Sequence, residues 1–186
     1  MKHLIIYSHL NPNSFTKAIV DQVEKTSKEK GDEVIIIDLY GDKFNPILEF
    51  PDIEYMFMGK EVPNDVKKYQ ELITWADHLT VVYPLWWAQM PAMLKGFIDR
   101  VFSNGYAFEY GESGAKGLLE GKTARLYICT GNPGEYYEQS GMYDAQRRVN
   151  DAGVFGFCGI DTKITFFGNV TLGTDEQRKE YLQSIK

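Results

Sequence analysis

The sequence predicts an α/β fold: a doubly wound parallel sheet of five strands in the order 2-1-3-4-5, with helices on both faces. Short apolar runs recur at Leu4 to Tyr7, Val34 to Leu39, Leu79 to Tyr83, Ala124 to Cys129 and Lys163 to Phe167. They are continuous or β-branched rather than strictly alternating, as strands covered on both faces are. Most of the stretches between them are long enough for a helix, so successive strands connect by crossovers and run parallel.

The helices are expected at about 14–30, 63–76, 91–102, 143–158 and 174–185. In the third, Leu94, Phe97, Ile98, Val101 and Phe102 recur at i, i+3, i+4, i+7 and i+8, an apolar face, with Lys95, Asp99 and Arg100 mostly off it. Pro91 suits the first turn of that helix. Gly31 after the first helix and Asn104-Gly105 after the third are stop signals. Two stretches, Gly41 to Val62 and Ser103 to Lys122, fall outside this plan. Long loops in compact domains are usually functional or disordered, and the aromatics Phe44, Phe50, Tyr55 and Phe57 in one and Tyr106, Phe108 and Tyr110 in the other favour a lid, a pocket wall or a partner surface.

Composition narrows the function classes. The chain has 186 residues with no linker-like tract, so one domain spanning 1–186 is expected. A hydrophobic fraction of 44% with 14% aromatic residues excludes disorder. The formal net charge of −6 and the lack of a dense Lys/Arg patch argue against nucleic acid or an anionic membrane surface as partner. The opening apolar run is too short for a signal peptide and no 18-residue apolar stretch occurs, so a cytoplasmic protein without membrane insertion is expected. Cys129 and Cys158 read as buried free thiols. No H-E-x-x-H, G-x-S-x-G or Cys/His cluster at metal spacing is present, so no metal site is expected. His3 and His78 read as inert strand-start residues.

Three strand-end loops are candidates for chemistry. The first runs from His9 to Thr16, with Asn13 or Ser14 as helix N-cap. Free N–H groups and the helix dipole at such a start stabilise phosphate oxygens without a lysine; an ordinary capped turn is the competing reading. The loop is neither a Walker A motif nor G-x-G-x-x-G, which disfavours a nicotinamide Rossmann domain. The second loop carries Pro84-Leu85-Trp86-Trp87 before the third helix, where planar side chains suit a planar ligand; core packing of both indoles is the alternative. The third is Thr130-Gly131-Asn132-Pro133-Gly134, whose glycines let backbone approach a ligand, although the sequence also suits a generic turn. In the predicted strand order these three loops are neighbours at the carboxyl end of the sheet.

Together they resemble the flavodoxin-like NAD(P)H:quinone oxidoreductases, the DT-diaphorase family with its bacterial members. The resemblance is most specific in Pro84-Leu-Trp-Trp followed by Pro91-Ala-Met-Leu-Lys-Gly-Phe-Ile-Asp-Arg-Val-Phe, and its order and spacing extend over nearly the whole chain. It implies a flavin, FAD slightly ahead of FMN, bound by His9, Ser14, Phe15, Thr16, Pro84, Leu85, Trp86, Trp87, Thr130, Gly131, Asn132 and Tyr137. It also implies ping-pong hydride transfer from NAD(P)H through flavin N5 to a quinone or similar electrophile. Tyr137 matches a catalytic tyrosine of the family, while Tyr143 stands where a histidine is expected. A phenol donates a hydrogen bond but does not become cationic near neutral pH. Phe108 and Tyr110, with Tyr143, resemble the substrate-pocket wall, and Phe108 lacks the hydroxyl usual at its position. Homodimers with shared pockets are implied as well. The competing functions are a regulatory subunit of a potassium-efflux antiporter with secondary oxidoreductase activity, and an electron-carrier flavodoxin.

Overall fold

A computed structural model describes residues 1–112 and 114–186. The elements that build the sheet and its cover are β1 (Lys2–Tyr7), α1 (Phe15–Glu29), β2 (Glu33–Asp38), α2 (Phe50–Met58), α3 (Asn64–Trp75), β3 (His78–Pro84) and α4 (Ala92–Val101). A hairpin of β4 (Phe108–Gly111) and β5 (Gly114–Gly117) follows, then β6 (Thr123–Cys129), α5 (Gly134–Gln139), α6 (Met142–Asn150), β7 (Asp161–Phe167) and α7 (Asp175–Ser184). The main sheet has five strands in the order β2-β1-β3-β6-β7, all pairs parallel. This is the predicted 2-1-3-4-5 order.

Alternation along each strand explains the continuous apolar runs. In β1, Leu4 and Ile6 pack with Val66, Ile73, Leu94 and Phe97 of α3 and α4, while Ile5 and Tyr7 pack with Ile19, Val20 and Val23 of α1. Successive side chains thus feed two cores, one on each face. At the carboxyl edge Pro84, Cys129 and Phe167 are in register. The loops leaving β3, β6 and β7 therefore start level with one another.

The two stretches read as irregular each contain regular structure. Gly41 to Val62 holds α2, whose start is fixed by Asp52 accepting from the Glu49 amide at 2.9 Å. Arg100, expected off the apolar face of α4, is instead 3% exposed. Its guanidinium grips both Asp52 oxygens at 3.0 and 3.1 Å, and also reaches Asp65 at 2.7 Å and the Asn45 carbonyl at 2.9 Å. A charge-assisted fork of this kind meets the requirement that a buried guanidinium be paired. The same loop lies so close to α4 that a Cβ on Gly96 would fall 2.0 Å from the Pro46 carbonyl oxygen. Ser103 to Lys122 holds the β4–β5 hairpin.

The helix expected over 143–158 changes winding. After α6 the chain forms a π-helical turn at Asp151–Phe155 and a 3-10 turn at Gly156–Cys158. Among the described residues, no helix is long and apolar enough to cross a membrane.

Candidate functional site

The first loop is organised by its own side chains. The Asn11 amide donates to His9 Nδ1 at 3.0 Å, the Asn13 amide to Asn11 Oδ1 at 2.9 Å, and Ser14 Oγ accepts from the Lys17 amide at 3.2 Å as N-cap of α1. Because Nδ1 of His9 accepts, the ring proton of the neutral imidazole sits on Nε2. Burial lowers the pKa of this histidine, so the neutral form prevails near pH 7. The Phe15 and Thr16 amides have no partner among the described residues. They form the positive end of α1.

The second loop is a two-residue turn. Trp86 and Gln89 exchange both backbone bonds, at 3.1 and 2.9 Å, and the central Trp87 and Ala88 have φ of 52° and 58°. That is the left-handed geometry of a type I′ turn, which glycine and asparagine adopt most readily. The turn sends its two indoles to different places. Trp86 is 38% exposed with its ring 5.9 Å from that of His9, whereas Trp87 is 99% exposed.

In the third loop the buried Thr130 shares a hydrogen bond with the Tyr143 hydroxyl, Oγ1 to OH 3.0 Å. Tyr137, Tyr143 and Phe166 form a stack of near-parallel rings, with centroids 5.2 and 3.9 Å apart. Burial raises the pKa of Tyr143, so its hydroxyl keeps its proton through the neutral range.

These loops enclose a cavity of about 340 Å³ lined by His9, Asn11, Ser14, Phe15, Thr16, Pro84, Leu85, Trp86, Cys129, Gly131, Val170 and Thr171. Eight of the sequence-predicted residues therefore converge: His9, Ser14, Phe15, Thr16, Pro84, Leu85, Trp86 and Gly131. Thr130 is buried beside them, while Asn132, Tyr137 and Tyr143 belong to the adjoining loop and helices. The side chain of Trp87 is not part of the lining. The left-handed turn carries it into solvent, so of the two adjacent indoles one reaches the cavity, whereas the family resemblance implied a flavin against both. Phe108 and Tyr110 are also elsewhere. They lie in β4, where Phe108 packs edge-on to Tyr110 and Phe157 at 5.5 and 5.0 Å and lines a separate groove with Met56 and Phe102.

Sequence reasoning included Asn11 only as part of the first loop, and missed Cys129, Val170 and Thr171. Cys129 was legible as the last residue of a strand, and Val170-Thr171 as the loop after the fifth strand; neither falls in a recognisable motif. Both cysteines are buried and free, as expected, and burial pushes their thiols up to about 12 for Cys129 and about 11 for Cys158. Neither is a thiolate at neutral pH.

The profile of the family described as having a flavodoxin-like fold matches residues 1–186. The chain belongs to this flavodoxin-like family. It is 36% identical over 185 residues to an uncharacterised NAD(P)H oxidoreductase of Haemophilus influenzae, covering 98% of this chain and 91% of that one. It is 30% identical over 200 residues to the human ribosyldihydronicotinamide dehydrogenase [quinone], with 96% and 86% covered. Among solved structures, this flavodoxin-like chain superposes on Smu.1420 of Streptococcus mutans with a TM-score of 0.86 and 35% identity, covering 100% and 96%. For the NAD(P)H:quinone oxidoreductase of Methanothermobacter marburgensis the TM-score is 0.91 at 27% identity, covering 100% and 93%.

Proposed function

We propose that the protein is a cytoplasmic, flavin-dependent oxidoreductase that passes hydride from NAD(P)H to quinones or similar electrophiles. The observation that carries this reading is the convergence of three strand-end loops on one cavity bounded by the start of α1. Its donors suit a planar, phosphate-bearing heterocycle. The amides of Phe15 and Thr16 face an anion with the helix dipole behind them, and neutral His9 offers Nε2–H. Among the described residues the amides of Trp87, Ala88, Gly131 and Asn132 also lack partners, and they supply donors for the edge of a ring system. Trp86 gives an aromatic wall.

Bound there, a flavin supplies the two-electron hydride relay between donor and acceptor. The chain's part is to hold, orient and shield it. Tyr137 and Tyr143 offer phenol hydroxyls beside the Thr130 loop; burial keeps the Tyr143 hydroxyl protonated rather than anionic, and a phenol has no basic nitrogen from which to form a cation. FAD is taken ahead of FMN, with Val170 and Thr171 of the loop after β7 supplying further wall in the same cavity for a nucleotide half.

The reading also takes the working form as a homodimer. Phe108 and Tyr110 lie outside their own chain's cavity, Tyr110 is 67% exposed, and both suit a role in closing the cavity of a second copy. Purified protein is expected to be yellow, to release FAD on denaturation as read by mass spectrometry, and to oxidise NADPH when menadione is added. Colourless protein without NADPH oxidation refutes the reading, and released FMN corrects the cofactor.

A further inference from the structure

α6 has a buried face that is entirely polar or hydroxyl-bearing: Tyr143, Gln146 and Asn150, at i, i+3 and i+7. Gln146 and Asn150 are 3% and 1% exposed. Uncharged amides at such depth need partners, and a chain of hydrogen bonds provides them. The hydroxyl of Tyr83, at the end of β3, donates to Asn150 Oδ1 at 3.1 Å. Asn150 Nδ2 donates to the Gln146 carbonyl at 2.8 Å and to Gln146 Oε1 at 3.4 Å. Gln146 Nε2 then donates to the carbonyl of Ala88 at 2.8 Å.

The chain has one polarity. Because Tyr83 donates, Asn150 presents its amide nitrogen to Gln146, and Gln146 turns its own nitrogen to Ala88. Ala88 is a central residue of the left-handed turn between Trp86 and Gln89. Neither central residue is glycine, so the turn holds a conformation that its side chains disfavour. Such geometry persists only where the surroundings over-determine it. Beyond the two ladder bonds of the turn itself, the Gln146 amide is, among the described residues, the side-chain hydrogen bond to its backbone.

We propose that Gln146 is a positioning residue of the flavin site. Anchored through Asn150 and Tyr83, it holds the Ala88 carbonyl and so keeps the Trp87 and Ala88 amides in place for the ring. The proposal rests on the flavin reading above. On the same helix Tyr143 bonds Thr130, so α6 ties down the second and third loops together.

The test is Gln146→Met, which keeps side-chain length and volume but removes the donor. Flavin retention is read by equilibrium dialysis of the holoprotein, and folding by circular dichroism. Losing a buried hydrogen bond and leaving its acceptor unpaired weakens retention about tenfold. Adding Ala88→Gly to that variant restores retention, because glycine holds the left-handed conformation without an anchor. Simple packing damage at position 146 is not repaired by a glycine at 88. Gln146→Asn, which draws the amide back by one methylene, carries the same expectation if the methionine variant does not fold. Retention equal to wild type, or no restoration by Ala88→Gly, overturns the proposal while leaving the flavin reading intact. Wild-type protein that binds no flavin overturns both.

Discussion

Acidification should destabilise this fold, and His3 carries a share of that loss that can be isolated. His3 is 4% exposed, with Nδ1 2.8 Å from Ser27 Oγ, Nε2 2.8 Å from Thr80 Oγ1, and the ring of His78 edge-on at 4.8 Å. Burial, then repulsion from His78, pushes its pKa down from 6.5 to about 4. The unfolded chain therefore takes up this proton first as pH falls. The stability tied to a neutral His3 is complete above pH 6.5 and drains away between 6.5 and about 4. With those two values the loss at ~pH 4.5 is about 2.5 kcal/mol. Urea unfolding at neutral pH and near pH 4.5, at one ionic strength, measures it. Carboxylates and the two other histidines, His9 and His78, contribute to the same interval, so the comparison is with His3→Gln, whose drop in stability over that range should be smaller by about 2.5 kcal/mol. Equal drops in the two proteins, or an imidazole that titrates near 6.5 by NMR, refute the reasoning.

Replacing Arg100 by Met leaves Asp52 buried without its guanidinium and should cost about 3–5 kcal/mol in urea unfolding, with α2 loosening first in hydrogen exchange. Gly96→Ala should cost at least about 1–3 kcal/mol by overpacking against Pro46, read as a lowered melting temperature. Trp87→Gly should raise stability by about 1 kcal/mol, because glycine takes φ of 52° freely and no buried contact is lost. A lower melting temperature for that variant means that the indole is held by something in the folded chain.

The sheet was legible because strands buried on both faces announce themselves as unbroken apolar runs, while the particular order 2-1-3-4-5 came with the flavodoxin-like resemblance rather than with the strand pattern. The smaller elements were not. α2 has only nine residues, begins with Phe50-Pro51, and is held by the Asp52–Arg100 pair, which joins residues far apart in sequence. The β4–β5 strands have four residues each and are mostly exposed, so they lack the apolar signature of the main sheet. In the site, the phosphate-suited helix start was readable from Ser14, because N-caps act locally. That adjacent indoles diverge was readable from their adjacency; which of the two faces the cleft was not, since it follows from the positive φ of Trp87 and Ala88. Gln146 was hidden for another reason: a glutamine among charged residues of a helix reads as solvent-facing until the partner carbonyl is known.

The turn at residues 86–89 places adjacent tryptophans under separate constraints. Residue 86 lines the cleft, while residue 87 presents its ring to solvent. A change at the inner position alters the cleft wall, and a change at the outer one alters only an exposed surface.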